Sequence, residues 1–192
     1  MKPQQVFVAY DGVGAPEEAN YCLVCGSSLV DSQHGGRMRR GCESCGYIRY
    51  RNVAGGVSML VVEDRRVLLC RRRANVFQGG KWCLPCGYIE YDEDFLTAAM
   101  RETEEETGLR VEVVSILSVC SNFLSPDVHT LVAVLLARKT GGEERPGNDE
   151  IDALRWCSPD EPLPPMAFAS DEHIIARYFA TRFEGAPVQK MS

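Results

Sequence analysis

The chain has 192 residues, 45% of them hydrophobic and 25% charged, with a formal net charge of −6. That is room for one full domain and a small appendage, and the apolar share excludes a disordered chain. No apolar run approaches the ~18 residues of a membrane span, the run 6–10 is too short for a secretory core, and the acidic balance argues against a dedicated duplex-DNA binder.

Nine cysteines without a secretory signal point to a reducing cytosol, and so to a cytoplasmic protein whose thiols bind metal or stay free. Residues 1–19 carry Gly12, Gly14 and Pro16 with no periodic pattern, and are expected to form a mobile lead-in. Then come Cys22-Leu-Val-Cys25-Gly26 and Cys42-Glu-Ser-Cys45-Gly46, the two pairs separated by sixteen residues. Paired CxxC knuckles at this spacing predict a structural zinc site. Four thiolates close a tetrahedral shell around Zn²⁺ and leave no open position for catalysis. Gly26 and Gly46 let each knuckle turn back so that backbone N–H groups point at sulfur. Free buried thiols are one alternative; a redox pair is another, and it would not need two copies. His34 is a competing ligand, read instead as an exposed loop residue. A ribbon over residues 20–52 is too small to bury a core, so the metal would supply its folding free energy. Arg37, Arg39, Arg40, Arg49 and Arg51 make it basic against Asp31 and Glu43. A solvated face, or one docked on the acidic main domain, is preferred over nucleic-acid contact, because five charges make a weak electrostatic footprint.

The main domain is expected over residues 53–183. The aliphatic runs 55–62 and 66–70 predict a hairpin. Arg71, Arg72 and Arg73 follow, either as strand-end residues or as phosphate partners. Cys83 and Cys86 form a third CxxC, but Pro85 and the strand context favour small buried hydrophobes. The stretch 87–109 holds eight acids against one base, Arg101, a net −7 in a chain whose total is −6. Apolar spacing predicts a helix over 94–107, stopped by Gly108. Glu102, Glu105 and Glu106 then stand at i, i+3 and i+4 on one face. Like charges there weaken a helix, which a solvated face tolerates and a hard divalent cation with oxygen ligands relieves. Strands are expected at 111–119 and 130–137, a loop at 140–149, a strand at 154–158 and a rigid connector at 159–165. A last helix over 171–183 would be capped by Ser170 or Asp171 and bury Ile174, Ile175, Tyr178 and Phe179. Residues 184–192 read as a frayed tail. Strands with helices packed on a mixed sheet give an α/β class.

Gly87, five residues, Glu93, seven residues, then Arg101-Glu102-Thr103-Glu104-Glu105-Glu106-Thr107-Gly108-Leu109 resembles the complete signature of the Nudix hydrolases. Thr103 stands where an aliphatic residue is usual, and Cys86 where many members carry Gly. Trp82-Cys83-Leu84-Pro85 resembles the strand that leads into the family's loop–helix–loop. The resemblance implies an α/β/α sandwich with a mixed sheet, preceded by a ribbon as in zinc-ribbon-bearing Nudix pyrophosphatases. It implies Glu102, Glu105 and Glu106 as ligands of Mg²⁺ or Mn²⁺, with the Gly87 carbonyl a further one. Glu93 would bind or orient metal-bound water, and Arg101 would orient a carboxylate. The general base varies in the family. Glu150 is favoured here, with Glu102 competing and a plain surface acid beside Asp149 and Asp152 as the bland reading.

The signature says nothing about the ends of the substrate. NADH pyrophosphatases and NAD-decapping relatives carry SQPWPFPxS downstream, where this chain has Ser118-Val-Cys-Ser-Asn-Phe-Leu-Ser-Pro126. The lone Pro126 and the ribbon point to ADP-ribose or FAD, releasing AMP. NADH, NAD-capped RNA and a catalytically silent nucleotide sensor are the alternatives. Phe77, Phe123, Tyr88 and Trp156 are the candidate stacking surfaces for a base. The expected partner is a small nucleotide, and the expected assembly a homodimer.

Overall fold

The computed structural model describes residues 5–10, 19–147 and 149–188. Strand β1 (Val6–Val8) lies inside the expected lead-in, so at these residues the expectation fails; residues 11–18 lie outside the described part. Its reason is tertiary: β1 runs parallel to the end of a long later strand, matching Val6 to Ser121 and Val8 to Phe123.

The ribbon folds as its own sheet of three antiparallel strands, β2 (Val30–His34), β3 (Arg37–Gly41) and β4 (Ile48–Arg49). Its apolar cluster is only Cys22, Leu29 and Cys42, with Ala19 and Tyr47 packed against them. His34 ends β2, half-buried, and its Nε2 is 2.8 Å from the Ser32 hydroxyl, so it is not a free loop residue, and it lies outside the four-cysteine ligand group.

The main domain opens with β5 (Ala54–Glu63) and β6 (Arg66–Arg72), turned through Asp64 and Arg65 at φ 49° and 67°. The two strands pair only at Val62–Val67 and Glu63–Arg66, then splay. Into the split go β7 (Trp82–Cys83), paired with β6, and β8 (Cys86–Tyr88), paired with β5. Helix α1 (Phe95–Thr107) follows, then β9 (Leu109–Phe123), β10 (His129–Gly142), β11 (Ile151–Cys157), α2 (Ala169–Thr181) and β12 (Ala186–Pro187). The main path of the sheet is β1-β9-β10-β5-β6-β11. β10 is parallel to β5 and antiparallel to β9, so the sheet is mixed.

Alternation along β5 explains the layers. Val57, Met59 and Val61 pack with Ala98 and Ala99 of α1. Leu60, on the other face, packs with Ile174, Ile175 and Tyr178 of α2. One helix on each face of a mixed sheet is the α/β/α sandwich that the resemblance implied.

Three local readings need correction. β9 and β10 are 15 and 14 residues long, well beyond the expected 111–119 and 130–137. Their ladder carries pairing through polar residues, from His129–Phe123 to Gly142–Leu109. β12 pairs with β9 at Ile116 and Ser115, so residues 186–187 are held and not frayed; residues 189–192 lie outside the described part. Helix α2 starts at Ala169 after Phe168, with no side-chain cap. Asp171, expected as a cap, is buried and accepts the Leu84 N–H at 3.0 Å, tying the helix to the segment between β7 and β8. Among the described residues, no helix is long and apolar enough to cross a membrane.

Candidate active site

Helix α1 is fixed at both ends by its sequence. Asp94 caps it, accepting the N–H groups of Leu96 at 2.8 Å and Thr97 at 3.1 Å. Gly108 ends it at φ 72°, in a left-handed turn where a Cβ would lie 2.3 Å from the Glu143 carbonyl oxygen. Thr103, the unusual signature residue, is fully buried and donates its hydroxyl to the Ala99 carbonyl at 2.8 Å. That satisfied hydroxyl is why the helix core accepts it.

The acidic face of α1 looks into the split between β5 and β6. Cys86 of β8 donates its N–H to Glu106 Oε2 at 2.9 Å, locking helix to strand. Glu106 is 1% exposed. Burial pushes its carboxyl up to about 8, against the Cys86 N–H, with repulsion from Glu102 and Glu150 and relief from Arg72. Burial also raises Glu102, which the Arg101 guanidinium opposes. Glu105 is half exposed.

Arg101 ties the group together. It reaches Glu93 through Nε at 3.0 Å and Nη2 at 2.5 Å, Glu102 at 2.9 Å, Glu105 at 3.2 Å and the Tyr88 carbonyl at 3.1 Å. Its hydrogen bonds hold Glu93 below the usual carboxylate range. Arg101 thus carries the positive charge among these acids. The Glu102, Glu105 and Glu106 oxygens are not drawn to a common point: among the described residues, the four-cysteine set alone gathers its ligand atoms within 4.8 Å. The donor set nevertheless suits a hard cation, being all oxygen. Gly87 supports that fit, since a Cβ there would lie 2.0 Å from the Glu102 carboxylate carbon. Any other residue at 87 would fill the space that the carboxylate needs.

These groups line one cavity of about 680 Å³, shared by Gly87, Arg101, Glu102, Glu105, Glu106 and Glu150. Glu150 stands just before β11, 3.4 Å from the Arg72 guanidinium. Of the three consecutive arginines, Arg72 is the buried one that lines the cavity, and it also donates to the Phe77 carbonyl at 2.7 Å. Arg71 instead pairs with Asp152 at 2.6 Å.

Phe77 and Tyr88 line the cavity, joined by Phe168, which sequence reasoning missed. Phe123 stacks on His129 with centroids 3.8 Å apart, and Trp156 donates to Glu144 at 2.9 Å; neither lines the cavity. Asn122, Thr130 and Asp171 also line it and were not foreseen. The signal available was their polarity amid apolar runs, and the strand register that would have used it is set only by the fold. Cys83 is fully buried with its thiol 3.7 Å from the Cys70 carbonyl, as a small hydrophobe should be. Cys86 is half-buried on the cavity wall.

The cysteine quartet forms a separate site. Cys22 and Cys45 sulfurs lie 3.6 Å apart, and Cys25 and Cys42 sulfurs 3.5 Å. A tetrahedral ion with sulfur at about 2.3 Å puts ligand sulfurs about 3.8 Å apart, so the quartet fits zinc. The knuckles are copies: Gly26 and Gly46 both sit at φ 74°, donating to the Cys22 and Cys42 carbonyls at 2.9 Å. The Val24 N–H points at Cys22 sulfur, 3.4 Å away.

A family model described as NUDIX domain matches residues 52–178. An ADP-ribose pyrophosphatase of Methanocaldococcus jannaschii is 35% identical over 133 residues, 69% of this chain and 76% of that protein. An NAD-capped RNA hydrolase NudC of Pseudomonas aeruginosa is 30% identical over 164 residues, 84% of this chain but only 56% of its own length. The crystal structure of a NUDIX hydrolase from Nitrosomonas europaea superposes with a TM-score of 0.76 at 28% identity, covering 90% of this chain and 97% of that one.

Proposed function

Because this chain belongs to the Nudix family of hydrolases acting on phosphoanhydride bonds, we propose that it cleaves the diphosphate linkage of a nucleoside diphosphate derivative, ADP-ribose or FAD, releasing AMP. The observation that carries this reading is the single cavity. Its carboxylates line the same 680 Å³ as Phe77, Tyr88 and Phe168, so a diphosphate at the acids leaves room for what it links. The relative named ADP-ribose pyrophosphatase, which this chain covers over 76% of its length, supports the substrate.

Glu102, Glu105, Glu106 and the Gly87 carbonyl would hold Mg²⁺ or Mn²⁺, which when bound offsets phosphate charge and polarises a phosphoryl oxygen. Glu93 would bind or orient water on that cation. Arg101 orients Glu93, Glu102 and Glu105 by ion pairing. Glu150 is the general base: it lies on the cavity wall, half exposed, with the Arg72 guanidinium 3.4 Å away to orient it. The cysteine quartet holds a structural Zn²⁺, and the working form is a cytoplasmic homodimer.

A second reading has its own support: the match to the NAD-capped RNA hydrolase spans 84% of this chain, more than residues 52–178 of the family model, so it takes in at least part of the ribbon. The segment 118–126 lacks that group's downstream signature, which ranks this reading, and NADH with it, second. The intact carboxylate set weighs against a silent sensor.

A panel of ADP-ribose, FAD, NADH, diadenosine polyphosphates, nucleoside triphosphates and NAD-capped RNA, ranked by kcat/KM with Mg²⁺ and with Mn²⁺, tests the substrate. ADP-ribose or FAD should lead, with AMP as a product. Best activity on a triphosphate, with release of pyrophosphate, would sink the dinucleotide reading.

A further inference from the structure

We propose that Asn122, on the cavity wall away from the acids, is a specificity-determining residue whose amide reads the adjacent donor and acceptor on the edge of a planar ring in the substrate. This rests on the diphosphatase reading above. Asn122 is 5% exposed and lines the cavity, and its Oδ1 has no hydrogen-bond partner among the described residues. A buried amide oxygen left unpaired weakens the fold. Packing alone would favour an apolar side chain, as at the neighbouring strand positions Cys120, Val132 and Val134, which belong to or pack on one core cluster. An orphan acceptor in the wall of a catalytic cavity is instead the mark of a group kept for a ligand.

Position says which part of the ligand. Asn122 pairs in register with Thr130 of β10, which pairs with Ala54 of β5, two residues from Gly56 on the cavity floor. Two strand spacings of about 4.8 Å and one pleat repeat of about 6.7 Å separate Asn122 from Gly56 by about 12 Å. Gly87, beside the acids, lies one strand further on in β8. Asn122 therefore meets what the diphosphate carries, not the diphosphate itself. Leu124 and Val128 line the cavity at the turn beyond Asn122 and Thr130, giving apolar contact for ring faces.

Chemistry narrows the ring. An asparagine amide presents one donor and one acceptor in a plane, the complement of adenine N6–H and N7. Guanine offers two acceptors there and calls for Arg or Lys. The basic residues lining the cavity are Arg72 and Arg101, both paired with carboxylates at the acidic end. The carboxamide of a nicotinamide ring carries the same donor–acceptor pair, so adenine and nicotinamide are the two sources of one chemistry.

The test measures kcat/KM of the full chain with Mg²⁺ on two matched pairs. ADP-ribose against inosine diphosphate ribose removes the adenine donor. NAD⁺ against nicotinic acid adenine dinucleotide removes the carboxamide donor. Wild type should prefer the donor-bearing member of one pair by about tenfold or more, and that pair names the ring. Asn122→Leu should bring the ratio to within about threefold, mainly through KM, with an equal or higher Tm because the orphan oxygen is gone. Asn122→Ser gives the same comparison if the Leu variant does not fold. An unchanged ratio with a lowered Tm would make Asn122 a packing residue and overturn the inference. Hydrolysis of all four compounds without preference would overturn it while leaving the diphosphatase reading intact. Hydrolysis of none of the four, nor of FAD, would remove that reading and the inference with it.

Discussion

Glu105 and Glu106 are neighbours on one helix face, yet their surroundings predict different side effects from one substitution. Glu106 is 1% exposed and accepts the Cys86 N–H, whereas Glu105 is half exposed and meets Arg101. Each change to Gln should cut Mg²⁺-dependent turnover about 100-fold or more, the scale of losing one group that stabilises charge in the transition state, here through the cation it would hold. Glu106→Gln keeps an acceptor for the Cys86 N–H and replaces a buried ionisable group with a neutral one, so its Tm should hold or rise. Glu105→Gln gives up an exposed ion pair worth under about 1 kcal/mol. Wild-type turnover in both variants at saturating Mg²⁺ would show that these carboxylates are not the ligands. Asp171 carries the pH prediction. Burial pushes its carboxyl from 3.8 up to about 7, against the Leu84 N–H, the Ser58 hydroxyl and the Arg72 charge. A raised acid binds its proton more tightly in the folded state. Its stabilising effect is therefore complete below about 4, is lost as pH rises toward 7, and is gone above that. Three units at about 1.36 kcal/mol each make this at most about 4 kcal/mol. Asp171→Asn keeps an acceptor for the Leu84 N–H and has no charge to bury. Urea unfolding at pH 5 and pH 8 should find the variant gaining on wild type at pH 8. A gap that does not widen with pH would mean that Asp171 folds ionised.

Among the elements, the ribbon is the one that would depend most on a bound metal. Its apolar cluster has three buried residues, too few to offset the ordering of its chain. Elemental analysis should find about one zinc per chain, absent from Cys22→Ser with Cys42→Ser; zinc retained in that variant would place it elsewhere. The ribbon was legible because its signal is covalent spacing, and α1 because Asp94 and Gly108 mark its ends chemically. Both kinds of signal are local. β1 and β12 span three and two residues and exist only through β9, so no pattern within them announces a strand. β9 outran its apolar run because ladder pairing with β10 continues through Ser121, Asn122 and Phe123. Asp171 was misread for a related reason. An acid at a helix start is the usual cap, and only the fold brings the Leu84 N–H to it instead. Phe123 and Trp156 looked like ring platforms by type, but the register turned one against His129 and the other toward Glu144. The box carboxylates were readable as a group, whereas the wall opposite them, being polar residues scattered over β9, β10 and α2, was not.

At the scale of the whole molecule, the ribbon is an insertion clipped at both ends to one wall of the cavity. The chain enters it after β1, which pairs with β9 up to Phe123, and leaves it into β5, whose Ala54 pairs with Thr130. Both anchors flank the turn between β9 and β10, which carries Leu124 and Val128 into the cavity. Arg51, at the ribbon's exit, donates to the Asp127 carbonyl at 3.0 Å and lies 3.9 Å from its carboxylate. The acids sit on α1, fixed by Asp94, Gly108 and the Cys86 N–H, all within the catalytic domain. The two ends of the cavity thus answer to different parts of the chain. Loss of the ribbon's metal should loosen the wall that holds the substrate's far end and leave the acids in place. Cys22→Ser with Cys42→Ser should then raise KM while kcat stays within about twofold. Arg51→Ala, which removes only the exposed clasp, should raise KM by no more than about fivefold, since such a pair is worth at most about 1 kcal/mol. Steady-state kinetics on the best substrate of the panel checks both. A fall in kcat at constant KM would mean that the ribbon reaches the carboxylates by a route these contacts do not provide.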